Sequence, residues 1–429
     1  MSTDGTRPLL HFTPRTGWIN DPLGLTFHDD RYHLFFQHVP DRTTWSPAQH
    51  WGHATSADGL RWEELDVVLS PGDGEDGVWS GTVVPTTDGA TLLYTAVDVP
   101  DVQVGRVRSA RPTDDTWTAW TKGPVVATVP DEVEVIAYRD PYVFHDGDHW
   151  RMLMGVGFTD GTAAALVHTS DDLESWVYDG VLAARHGDET DPEWTGTVWE
   201  CPQLFPVGDR WVLVVSVWEP EVPHHVAYAI GDYADGRFHA ESWHRLSYGP
   251  AYYAASAFVD ADGGRGLIHW LRGIDDPHDR WASAHSLPHR LSLAAGRLVA
   301  APPPAVDALR AETVEADGTA NLAVAPLPTL CDVEWTAVAG STLRLTAPDG
   351  SEGATLTASP TTLEVRTADG EWSVPLVDPG VRVVLDGPVL EVFTTAGVLA
   401  AHTPWHRDGS ALEVRGATAR VHRLDSARA

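Results

Sequence analysis

A chain of 429 residues is too long for one ordinary core, and 43% hydrophobic with 21% charged residues is the composition of a globular protein. Its 61 acidic and 29 basic residues give a net charge of −32, which repels nucleic acid and anionic membranes, and the single lysine, Lys122, leaves little to clamp a strongly anionic substrate. No apolar run reaches the roughly 18 residues of a membrane span. The opening MSTDGTRPLLHF lacks the apolar stretch of a signal peptide, so cytoplasmic residence is expected. Cys201 and Cys331 are too few and too far apart for a disulfide framework or a zinc site.

In chain order, the first predicted element is WINDPLGLTF, residues 18–27. It places poor strand formers and a proline at the head of an apolar run. The same oddity returns in YRDPYVF and WECPQLF, and VWSGTVVP and YYAASAF align with them through a small or polar start. Aligned on Asp21, Ser80, Asp140, Glu200 and Ala254, the units are spaced 59, 60, 60 and 54 residues apart. Each continues as a short strand, an Asp- or Gly-containing turn and a second apolar strand 13 or 14 residues on. That is the pattern of a hairpin. HATSADGLRW and VHTSDDLESW extend the similarity beyond the hairpins. No helical period intervenes. Five such units predict a five-bladed β-propeller over residues 1–295, with the five aligned positions gathered in a ring at one end of the inner strands. A proline-rich connector at 296–312 follows, and short alternating strands over 313–429 predict a β-sandwich.

Three ring positions, Asp21, Asp140 and Glu200, are carboxylates. Calcium wants six or more oxygen ligands, more than this ring offers, and no metal or other cofactor is expected. Glycosidic cleavage wants two carboxyls in different environments, one ionised and one held as an acid. The neighbouring residues suit a sugar. Trp45, Trp79 and Trp270, with Trp18, Trp51 and Trp199, offer ring faces. Asn20, Gln37, His53, Ser80, Arg139 and Tyr253 offer hydrogen bonds.

WINDPLG resembles the Trp-Met-Asn-Asp-Pro-Asn-Gly signature of glycoside hydrolase family 32, the β-fructofuranosidases, inulinases and levanases. YRDP at 138–141 is similar to the family's Arg-Asp-Pro motif and WECP at 199–202 to its Glu-Cys motif. HWGHA at 50–54 and WSG at 79–81 follow in the family's order. The resemblance implies a propeller with a C-terminal sandwich and a retaining mechanism. In it Asp21 is the nucleophile at C2 of a fructosyl unit, Glu200 the acid and then base, and Asp140 a stabiliser of the transition state. It implies a small fructoside or fructan as substrate, with sucrose and short unphosphorylated fructans expected ahead of sucrose 6-phosphate. A fructosyltransferase, a sucrose-6-phosphate hydrolase and a non-catalytic fructan-binding lectin are the alternatives, and a homo-oligomer stays open. Leu23 and Ala251 depart from the family pattern at positions expected to border the pocket.

Overall fold

The computed structural model describes residues 7–87, 89–317, 321–403 and 410–425. Apart from one short helix, Pro304–Ala308, the regular structure among the described residues is strand. The five expected hairpins are present. Gly17–His28 pairs with Arg31–Val39, Gly77–Thr86 with Gly89–Val97, and Val135–His145 with Trp150–Phe158. Val198–Val207 pairs with Arg210–Glu219, and Tyr252–Val259 with Arg265–Asp275. The second, third and fourth hairpins each extend to a four-stranded antiparallel sheet. The first and fifth share one larger sheet, because Gly17–Trp18 at the head of the chain pairs in parallel with Trp281–Ala282. The leading strand of each hairpin lies against the leading strand of the next, and the fifth lies against the first. These five are called inner strands below. Outside the hairpins, Ser56 with Asp58 and Ser170 with Asp172 build the same turn, each Asp side chain accepting main-chain N–H groups two and three residues on.

The odd residues do not stand at the first positions of the inner strands. Each strand begins two to five residues earlier, and every one of the five carries a β-bulge at or beside the aligned position. The ladder skips between Ile19 and Pro22, Trp79 and Gly81, Arg139 and Tyr142, Glu200 and Gln203, and Tyr253 and Ser256. A bulge leaves residues unpaired, so a proline there costs no ladder bond, and it turns side chains out of the strand's alternation. Asp140, Cys201 and Ala254 all have left-handed backbone, with φ of 62°, 47° and 46°. Cys201, not Glu200, is therefore the structural equivalent of Asp140. Glu200 matches Arg139, one residue earlier. The aligned ring is two adjacent layers.

The C-terminal strands form two six-stranded antiparallel arrays, one of them extended to seven strands by Ser247–Tyr248, which adds in parallel to Gly397–His402; the two sheets close over a core that includes Val333, Trp335, Leu343, Leu356, Val383 and Leu390. The expected connector is partly regular. Arg297–Ala301 pairs with His289–Ala294, and Arg310–Asp317 pairs with Thr418–Leu424 in the seven-stranded sheet. A further core joins the two parts. Tyr228, Tyr252, Leu287 and Leu298 pack with Val384, Val389, Phe393 and Val398.

Candidate active site

The bulges bring four side chains of one layer together. Ser80 Oγ donates to Asp21 Oδ2. The Cys201 thiol lies 3.8 Å from Asp21 Oδ2 and 3.6 Å from Asp140 Oδ2, and the Cys201 main-chain N–H donates to Asp140 Oδ2 at 3.0 Å. That N–H is free for a side chain because the bulge removes it from the ladder. One hydroxyl ties two bulges together: Thr95 Oγ1 donates to the Ser80 carbonyl at 3.0 Å and accepts the Asp140 N–H at 2.8 Å.

Asp21 is served from its own strand and its neighbour. Asn20 Nδ2 donates to Asp21 Oδ1 at 3.0 Å and to Gln37 Oε1 at 2.7 Å, and Gln37 Nε2 donates to Ser80 Oγ. Trp18 Nε1 donates to Asn20 Oδ1 at 3.3 Å, while His285 Nε2 meets the Asn20 carbonyl at 2.8 Å. The nucleophile candidate is thus fixed by a closed chain of amides and hydroxyls.

The second layer holds Arg139, Glu200 and Tyr253. Arg139 Nε and Nη2 both donate to Glu200 Oε1, at 3.0 and 2.9 Å, and Nη1 donates to Gln103 Oε1 at 2.7 Å. Its guanidinium also stacks on Trp218, 5.0 Å from the ring centroid. Tyr253 donates its hydroxyl to Glu200 Oε2. Arg139 stands 4.0 Å from Asp140 Oδ2, and its hydrogen bonds to a carboxylate go to Glu200 instead.

Three carboxyls thus share one close cation. Burial pushes Asp21 up to about 6, the charge of Glu200 adding to it and the bonds from Ser80, Asn20 and Cys201 opposing. Burial pushes Asp140 up to about 7. Arg139 and the Cys201 N–H oppose this, and Glu200 and Asp21 reinforce it. The Cys201 thiol is pushed well up by burial and by the three carboxyls, so it stays a thiol and a weak donor. Asp21 and Asp140 therefore hold their protons closer to neutrality than a free carboxyl does.

The ring-face candidates divide. Trp45 is 48% exposed and meets Trp79 edge-on at 5.9 Å. Trp79 is fixed by its own N–H on the Pro47 carbonyl. Trp270 stands edge-on to Trp18 at 5.6 Å and to Tyr253 at 6.3 Å. Trp51 and Trp199 are fully buried and serve the cores. His53 is also elsewhere. It is fully buried, stacked on Phe35 at 4.4 Å and bonded to His33 at 3.1 Å, so it cannot reach a sugar in the ring. Leu23 and Ala251 do not border the site either. Leu23 packs in the core between the first two hairpins and Ala251 in the core beneath the fifth. Thr95, Gln103 and His285 had no sequence signal; their roles arise from strands or loops that carry no repeat motif.

Residues 11–302 match the model of the glycosyl hydrolases family 32 N-terminal domain. The chain is 32% identical over 326 residues to a sucrose-6-phosphate hydrolase of Escherichia coli, covering 71% of this chain and 66% of that protein. It is 32% identical over 323 residues to a levanase of Bacillus subtilis, covering 67% of this chain and 45% of that one. The chain therefore spans less than two thirds of the length of these curated relatives. A solved GH32 β-fructofuranosidase of Bombyx mori superposes with a TM-score of 0.82 at 26% identity, over 98% of this chain and 94% of the other.

Proposed function

This chain belongs to glycosyl hydrolase family 32, and from that premise we propose that it is a retaining β-fructosidase. Its inner strands are read as the five blades of a propeller, residues 1–295. A connector at 296–312 and a sandwich from 313 complete the chain. The cyclic contact of the five inner strands supports that count.

Asp21 attacks C2 of a terminal β-D-fructofuranosyl unit as Glu200 gives a proton to the leaving oxygen. The first bond formed is Asp21 Oδ–C2 and the bond broken is C2–O. Water then attacks C2 from the same side the leaving group left, Glu200 takes its proton, and Asp21 departs. Asp21 Oδ1 and Oδ2 already hold donors from Asn20 and Ser80, which stabilise the carboxylate as it departs. Glu200 is oriented by Arg139 and Tyr253, whose bonds favour the base form needed in the second step. Asp140, held by the Cys201 N–H, accepts hydrogen bonds from fructose hydroxyls as positive charge grows on the ring. Trp45, Trp79 and Trp270 flank the sugar. The observation that carries this reading is that three acids stand at or beside the bulges of the first, third and fourth inner strands, each with its own set of donors.

The substrate is an uncharged fructoside such as sucrose or a short fructan. A phosphate needs an Arg or Lys clamp, and the nearest cations are already used. Lys122 donates to the Ser70 and Gly72 carbonyls and pairs with Glu75. Arg108 pairs with Glu75 and Arg106 with Asp98. The test is kcat/KM on sucrose and on sucrose 6-phosphate, with early-time NMR of the released sugar. β-Fructofuranose should appear first, and sucrose should be preferred. A tenfold preference for the phosphorylated sugar, about 1.4 kcal/mol of transition-state binding, would overturn the substrate class, and initial α-anomer would overturn the double displacement.

A further inference from the structure

Arg272 is a cation on the fifth hairpin with no carboxylate partner among the described residues. Its fork is spent on main-chain oxygens instead. Nη1 donates to the Pro223 carbonyl at 2.6 Å and Nη2 to those of His224 and Tyr252 at 3.2 and 3.4 Å, while Nε reaches that of Ala251 at 3.4 Å. The first two lie on Val222–Ala234 of the fourth sheet, the last two on or beside the fifth inner strand. The side chain therefore staples two neighbouring sheets. Its guanidinium carbon sits 5.0 Å over the ring of Tyr253, the residue whose hydroxyl donates to Glu200. Burial lowers the Arg272 pKa, and the Tyr253 hydroxyl and the Glu200 carboxyl beyond it oppose that. A chain with 61 acidic residues could have paired this cation with a carboxylate. It holds it instead against the phenol that touches the acid/base candidate.

We propose that Arg272 is a positioning residue for Glu200 that acts through Tyr253. The staple fixes where the phenol stands. The cation over its ring draws electron density from the hydroxyl, which strengthens the O–H donation to Glu200 Oε2. A stronger donor favours the carboxylate form of Glu200, the form that activates water in the second step. This rests on the assignment of Glu200 as acid/base. The other charged and titratable groups facing Glu200 are Arg139 and Asp140 from the third inner strand, Asp21 from the first and Cys201 beside it. None of these contacts Arg272 in the structure, so their contributions stay in place when it is changed.

The experiment is the pH profile of kcat/KM on sucrose for the full chain and for Arg272→Gln, Arg272→Lys, Tyr253→Phe and the Arg272→Gln/Tyr253→Phe double variant. Removing the cation should raise the alkaline limb, where the acid form of Glu200 is lost, by about half a unit to one unit. The rate at the optimum should fall about tenfold, mainly in kcat. Arg272→Lys keeps a point charge without the planar stack and should recover part of the limb shift. Tyr253→Phe should move the limb the same way, and adding Arg272→Gln to it should move it no further. A limb that does not move in Arg272→Gln, or shifts that add in the double variant, would overturn the proposal. Should Arg272→Gln not fold, Arg272→Lys against Tyr253→Phe decides, since an unmoved limb in the lysine variant beside a full rate loss means a staple only. If the unmodified chain releases no fructose from sucrose or a short fructan, it is the fructosidase reading that fails, before any variant is made.

Discussion

At Asp140 catalysis and stability pull in opposite directions. Its carboxyl accepts one main-chain N–H and faces Glu200, Asp21 and a thiol, and burial with that crowding moves it from 3.8 to about 7. The folded protein thus holds the Asp140 proton more tightly than the unfolded chain does. The cost of ionising it is absent below about pH 4, grows between about pH 4 and 7, and is complete above that, on the order of 4 kcal/mol. Asp140→Asn keeps the shape and the acceptor for the Cys201 N–H while removing the charge. We expect it to lower kcat by several orders of magnitude and to raise the unfolding midpoint at pH 8, with the gain vanishing toward pH 4. Urea or thermal unfolding at the two pH values measures it. An equal gain at both, or a loss at pH 8, would show that the carboxyl is not ionised against the fold. Asp21, pushed up to about 6 by burial and Glu200, should behave alike over a lower window.

The bulged hairpin is the element that makes the site, and its packing leaves little room behind it. Gly155 lies on Trp150–Phe158, behind the third inner strand and against the fourth. A Cβ there would stand 2.3 Å from the Trp199 carbonyl and 3.1 Å from Pro202 Cδ, on either side of Glu200 and Cys201. Neither atom is a flexible side-chain end, so the fourth inner strand must shift. Gly155→Ala should cost about 1–3 kcal/mol of stability and lower kcat about tenfold or more by displacing Glu200, with KM less affected. Full activity in a variant destabilised by that amount would show that the strand yields without moving the acid. The hairpins, their turns and the three acids were legible because period-2 strands, Asp-Gly turns and the repeat spacing are all local signals. The one-residue offset between Asp140 and Glu200 was not. Spacing alone cannot say which of two neighbours takes the left-handed position of a bulge, and Cys201 does so in a place where the alignment suggests Glu200. His53 misled for a related reason. Its motif lies on the second neighbour of an inner strand, where alternation turns His53 into the packing beside Phe35.

On the scale of the whole molecule, the sandwich is fastened to the rest through a buried cluster of charge. His11, before the first inner strand, directs Nδ1 to Asp386 Oδ2 at 2.9 Å and Nε2 to Glu391 Oε2 at 3.0 Å, both from the sandwich. Asp386 also accepts the N–H groups of Leu9, Leu10 and His11, and Glu391 accepts the hydroxyl of Tyr252 and meets His289. Burial alone would lower the His11 pKa, but Glu391 and Asp386 outweigh it and bring it to about 9. Burial alone would raise Glu391, but His11 and His289 hold it well below the carboxylate range. The signs differ. The raised histidine stabilises the fold fully below its unfolded value near 6.5, and this is lost as pH rises through 9. The depressed glutamate stabilises it above about 4.5, and this is lost in acid. Docking of the sandwich should therefore be firmest from about pH 5 to 6.5 and weaken steadily to pH 9. His11→Ala leaves two buried carboxyls without their cation and should cost about 3–5 kcal/mol at pH 6. Because the titrating group is gone, the penalty should shrink as pH rises to 9, where the unmodified chain has lost most of the same contribution. Unfolding midpoints of both proteins at pH 6, 7.5 and 9 test this. A penalty that stays constant or grows toward pH 9 would mean that His11 is neutral in the fold and that the sandwich is held by packing alone.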